Sequence, residues 1–218
     1  MKKKTTSPLL AFHGDPSIKE KYIARVKAHA EMDQIIQGTG FDPETNRGCA
    51  IGCTLDGYNH DSYPKELGIS WRVALLEDSI FEKLPVGEAK KFPLQFLESV
   101  PVGADTELAY KKFILWSIAD PKDGLLSVVP DGKYKDALME CAELHRKAIV
   151  GEEVSVETWK KLGDKIYAYA YAYAYAYAYA YAYAYATASA SAYDDRERIR
   201  QERYLIMRDK LLALMKEA

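Results

Sequence analysis

YAYAYAYAYAYAYAYAYAYA, Tyr167 to Ala186, followed by TASASAY, Thr187 to Tyr193, is the stretch whose conformation decides the architecture. Strict period two is the pattern of a strand, with every Tyr on one face and every Ala on the other. Twenty such residues would make a strand about 66 Å long, with unpaired edges that invite cross-β stacking. The helical reading starts from Ala, the best helix former. Alternate residues of a helix advance by about 200°, so the tyrosines would surround it and need cover on several sides. The flanks decide between the two. Ser155 to Ile166 reads as helix with no breaker after Gly163, and Asp194 to Met215 sets Ile199, Leu205, Ile206, Leu212 and Met215 among Arg and Glu. Nucleation is the costly step of helix formation, so helices at both ends favour helix between them.

Helix signals recur through the rest of the chain. Asp15-Pro16 is a capping Asp followed by Pro at the first helical position. Tyr22, Ile23, Val26, Ala30 and Ile36 then keep helical spacing up to Gly38. Residues 39–47 read as a loop, and Cys49 to Leu55 as a short helix. Ser62 to Leu67 reads as one helical turn, Ser70 caps a helix closed by Pro85, and Pro93 opens a short one. Asp105 or Thr106 begins an apolar helix that stops before Asp120-Pro121. Asp131 starts a helix ended by Gly151, and Ser155 caps the next. Leu125 to Val129 is the best strand candidate, and one strand makes no sheet. The expected fold class is therefore all-α: a flexible N-terminus at 1–7, a compact helical domain at 8–150, and a helical arm at 151–218 containing the repeat 167–193.

With 30 basic and 32 acidic residues the net charge is -2, which gives no general attraction to nucleic acid or acidic membranes. The basic run Lys2-Lys3-Lys4 precedes an apolar stretch, Leu9 to Phe12, too short for a signal peptide. No stretch reads as an ordinary transmembrane helix, and three cysteines are too few for a disulfide scaffold. The expected compartment is the cytoplasm. Stacking grooves for nucleic acid carry positive charge along the backbone path, and the repeat has no Lys or Arg for over twenty residues.

Phe12-His13-Gly14-Asp15-Pro16, the block Gly48-Cys49-Ala50-Ile51-Gly52-Cys53-Thr54-Leu55, and Glu66-Leu67-Gly68-Ile69 resemble a group of bacterial proteins with Ala-rich, low-complexity C-terminal helices. The resemblance would cover most of the chain and implies helix for the repeat. It brings no established activity and assigns no residue a role.

Three sets of side chains are candidates for chemistry. Cys49 and Cys53 are four apart, as are Cys141 and His145, and together they compose a Cys3His set acceptable to zinc. The competing reading is core packing, because buried Cys behaves as a small hydrophobe. A helix starting near Cys49, with Arg47 beside it, would lower the thiol pKa and leave His60 as a base. His13 and Asp15 with His60 and Asp61 compose a third set for a metal or a shared proton. Here the competing reading is that Asp15 is a helix cap and His13 a surface residue.

The reading that follows is a non-catalytic structural or interaction protein with no cofactor. Its arm mediates self-association as a homo-oligomer, or docks on another protein, through Tyr167, Tyr169, Tyr171, Tyr173, Tyr175, Tyr177, Tyr179, Tyr181, Tyr183 and Tyr185. Tyr supplies large amphipathic contact area at low entropy cost, and Ala lets backbones approach. The alternative is a small enzyme or zinc protein built on Cys49 and Cys53 with His13, His60, or Cys141 and His145.

Overall fold

Asp15 does what its place before Pro16 suggests: its carboxylate accepts from Ser17 N at 2.8 Å and starts helix α1, Pro16–Glu31. The computed structural model describes residues 9–168 and 191–218, with side chains from Arg198 onward in the second stretch. The expected flexible N-terminus and the tyrosines from Tyr169 to Tyr185 lie outside the described residues. The chain is mostly helical. It divides into two compact units, one of the residues up to Tyr110 together with Arg198–Ala218, the other of Lys111–Glu197.

In the first unit α1 buries Tyr22, Val26 and His29. It stops at Glu31, seven residues before the Gly38 expected from the spacing of Ile36. Asp33 takes a left-handed φ of 54°, which no helix continues through. Beyond it Gly48 N donates to Gln34 O at 3.0 Å, and Ile36 N donates to Gly48 O at 2.9 Å. Those two bonds satisfy the backbone that a longer α1 would have paired internally. The loop expected at 39–47 holds a small antiparallel hairpin, β1 (Phe41–Asp42) and β2 (Arg47–Gly48), with Phe41 opposite Gly48.

Helix α2, Ala50–Leu55, lies at the centre of this unit and packs against α1. A Cβ on Gly52 would come within 2.0 Å of Gly40 O, so only glycine lets the hairpin backbone rest on α2. Helix α3 is Ser62–Leu67, ended by Gly68 at φ 64°. Helix α4, Trp71–Phe81, is capped by Ser70 and buries Val73, Ala74, Glu77, Ile80 and Phe81. After the single turn α5 (Val86–Ala89), α6 (Phe92–Ser99) adds Phe92, Phe96 and Leu97 to the core.

Helix α7, Thr106–Ala119, starts in the first unit and runs into the second. There Ile118, Val129, Leu138 and Ala142 form the core, with Ile114, Leu115, Tyr134 and Cys141 packed against it. The strand expected at Leu125–Val129 is a 3-10 turn, Leu125–Ser127, in which Ser127 Oγ donates to Gly124 O at 2.7 Å. The local side-chain bond closes the turn, and with no partner strand beside it among the described residues an extended segment would leave its backbone unpaired. Helix α8 is Lys133–Ile149, and α9 is described over residues 156–168, with Ser155 Oγ accepting from Thr158 N at 3.0 Å.

Helix α10, Ser191–Lys216, confirms a helix on the far side of the repeat, but its end is not an arm. Leu211, Leu214 and Met215 are buried, and Arg208 Nη1 bonds the Glu88 carboxylate of α5. The units therefore do not divide at 150/151: residues 151–168 of the expected arm belong to the second unit and 198–218 to the first. The apolar face of Leu211 and Met215 finds cover in the first unit's core, which sequence spacing alone does not reveal.

Candidate metal centre

The first turn of α2 places the site. Cys49 is not inside the helix but its cap, extended at ψ -175°, and its Sγ accepts from Gly52 N at 3.4 Å. That single shift undoes the expected pairing of Cys49 with Cys53 on one helical face. Cys53 turns its thiol to donate to Gly48 O at 3.3 Å, whereas Cys49 faces α4. From α4 and the residue after it come Asp78 and Glu82, four apart and so on one side of the helix. Ligand atoms of Cys49, Asp78 and Glu82 lie within 4.8 Å of one another, a group that holds a metal's worth of donors among the described residues.

The two carboxylates are each half committed. Asp78 Oδ2 accepts from Tyr58 Oη at 3.1 Å and meets His60 Nε2 at 3.2 Å, while Oδ1 is buried with no hydrogen-bond partner. Glu82 Oε2 accepts from Gly38 N at 2.8 Å. The Tyr58 and His60 rings pack edge to face at 4.9 Å, which fixes both over Asp78. The side chains of His60 and Asp78 are 17% and 14% exposed, so their contact is largely shielded from water.

The electrostatics of the group favour protons over charge. Burial pushes the Cys49 thiol far up, and the neighbouring Asp78 carboxylate pushes it further. This is the opposite of the lowering expected from Arg47 and the helix start, because desolvation outweighs the amides of one short helix. Burial raises Cys53 to about 12 as well. Tyr58 is pushed up to about 12, by burial first and then by Asp78. Burial and the nearby Asp78 raise Glu82. A divalent cation among Cys49, Asp78 and Glu82 would reverse the tendency at Cys49 and Glu82, since it favours thiolate and carboxylate together.

The remaining candidates go elsewhere. His13 Nε2 bonds Lys65 O at 2.9 Å, and Asp15 is the α1 cap, so His60 and Asp61 are not their partners. His60 instead turns to Asp78. Cys141 and His145 belong to the second unit, where Cys141 packs against the core and the His145 ring lies 4.8 Å from Trp159. Tyr167 is exposed on α9. Asp78 and Glu82 were missed from sequence, and their spacing is the only signal: acids four apart occur on any solvated helix face.

No family model matches the chain, and neither a curated protein nor a solved structure matches it. Site chemistry alone therefore carries the functional reading.

Proposed function

We propose that this chain is a zinc-binding protein whose first unit holds the ion among Cys49, Asp78 and Glu82, with His60 as fourth donor or as the outer partner of Asp78. The observation that carries the reading is Asp78 Oδ1, buried and unpartnered beside a buried thiol and a second carboxylate. The protonated Cys49 thiol beside it is only a weak donor, and a cation would answer that oxygen more fully. Zinc bonds of about 2.0–2.3 Å put tetrahedral ligands roughly 3.3–3.8 Å apart. Drawing donors together from within 4.8 Å takes about 1 Å, within reach of side-chain rotation. One sulfur with oxygen and imidazole donors suits a borderline ion better than magnesium or calcium, which take oxygen. Tyr58 and His60 on Asp78 Oδ2 are the outer contacts that orient a ligating carboxylate. Four protein donors would close the shell and suit a structural rather than a catalytic ion.

The test is zinc titration of chelator-treated protein by calorimetry, with elemental analysis after desalting. One zinc per chain is expected. Asp78→Asn and Cys49→Ser should weaken binding at least tenfold, while Cys53→Ser and Cys141→Ser leave it unchanged. Protein that retains no zinc, or an Asp78→Asn variant that binds as well as the parent, would overturn the assignment.

The repeat supports a second reading, in which its tyrosines mediate self-association or docking on another protein. What supports it is the sequence: ten tyrosines alternate with Ala from Tyr167 to Ala186, large amphipathic contact area at low entropy cost. Solution mass with and without residues 167–193 tests it. The deletion should leave a monomer, and an unchanged oligomeric state would remove the repeat as the association element.

A further inference from the structure

A second feature of the first unit lies beside the metal centre and shares Tyr58 with it. A cavity of about 260 Å³ lies between α1, α3 and the segment that follows α2. Its lining is polar and carries two cations, Lys21 and Arg25, against one acid, Glu66. We propose that this cavity binds a small oxyanion, the phosphate or carboxylate of a molecule that also carries a hydroxyl or amino group.

The lining residues are prepared unequally. Arg25 is fixed: Nη1 donates to Thr54 O at 2.9 Å, and Nε pairs with Asp56 Oδ2 at 3.0 Å. Its charge is thus partly answered and its orientation set. Lys21 is different, because among the described residues its ammonium has no carboxylate in ion-pair reach and rests 5.0 Å over the Tyr22 ring. An unanswered ammonium beside a rigid guanidinium is a pair of donors that an oxyanion completes. Asn59 Oδ1 is occupied by Asp61 N at 3.0 Å, which leaves its NH2 end for the cavity, and Ser62 adds a hydroxyl.

Glu66 sets the selectivity. Its Oε2 accepts from Tyr22 Oη at 2.9 Å, and burial holds that phenol neutral by raising it to about 12. Glu66 lines the cavity, and a carboxylate there can only accept. A bare anion would meet repulsion there, whereas a ligand with a hydroxyl or amino group next to its charge would donate to it. The volume suits a molecule of a few carbon atoms, not a nucleotide.

Calorimetry with full-length protein as purified, at low salt, provides the test, with glycerol 3-phosphate and glycerate as the two oxyanion probes and glycerol as the neutral control. One of the two oxyanions should bind at one site per chain and glycerol should not, and whichever binds tells phosphate from carboxylate. Lys21→Ala should weaken that binding at least tenfold. Lys27→Ala, on the same helix but paired with Glu98, should change it less than twofold. Both replaced side chains are exposed, so melting curves should match the parent and exclude a folding defect. Failure of both oxyanions to bind, or equal weakening by the two variants, would overturn the proposal. Elemental analysis of the same sample reports zinc separately, so failure of this proposal and failure of the metal centre are distinguishable.

Discussion

Leu211→Ala asks whether the last helix is part of the first unit's core or an appendage. Leu211 is fully buried, while Ile199 and Ile206 of the same helix are 58% and 38% exposed. Truncating a fully buried Leu removes three carbons, worth about 0.8 kcal/mol each in transfer, and leaves a cavity that raises the total to roughly 2.7–5 kcal/mol. An exposed Ile cut to Ala falls within about 0.5 kcal/mol of neutral, and Ala is the better helix former. Urea unfolding followed by far-UV circular dichroism separates these values. In thermal melts the Leu211→Ala loss should appear as a drop of about 5–20 °C for a chain of this size. The two isoleucine variants calibrate any effect on the helix itself. A Leu211→Ala variant as stable as Ile199→Ala would refute the packing, and the end of the chain would then be the free arm that its sequence suggests.

Three further outcomes follow from the geometry. Cys49, buried with its thiol pushed far above the ordinary range, should resist iodoacetamide at pH 8 in folded protein and react in urea; rapid labelling of the native chain would contradict the site described. Gly52→Ala sets a Cβ 2.0 Å from Gly40 O, so soluble yield and melting temperature should both collapse, whereas Gly57→Ala, with open space around it, should melt like the parent. Burial, then the charge of Lys111, holds the His145 imidazole below its ordinary range. The unfolded chain therefore takes up a proton first as pH falls through about 6.5, and stability is lost from there toward the lowered native value. His145→Gln should consequently lose less stability than the parent between pH 7 and pH 5, and identical losses would show that His145 is not the group responsible.

What sequence made legible was local. Asp15, Ser70, Asp105 and Ser155 each cap the helix that their position announces, because a cap and its amides are two or three residues apart. The all-helical class followed from those signals and from apolar spacing. What it concealed depends on distant partners. Ile36 keeps α1's spacing, yet its amide goes to Gly48 O, because Asp33 turns the chain back first. Of the site, Cys49 and His60 were visible as a thiol and a base near one another. Their link is Asp78, eighteen residues past His60, and only the packing of α4 against α2 brings it between them. The pairing of Cys49 with Cys53 failed over one residue, the difference between a helix's cap and its first turn.

The interleaving of the two units has a consequence for the order in which the molecule is made. The first unit's core is closed by Leu211, Leu214 and Met215, yet the rest of it is complete by Tyr110. At about 5–20 residues per second, a ribosome needs roughly 5–20 seconds to travel from one to the other. Throughout that interval the nascent chain presents an unfilled apolar seam, with the second unit and the Tyr/Ala stretch emerging before the seam can shut.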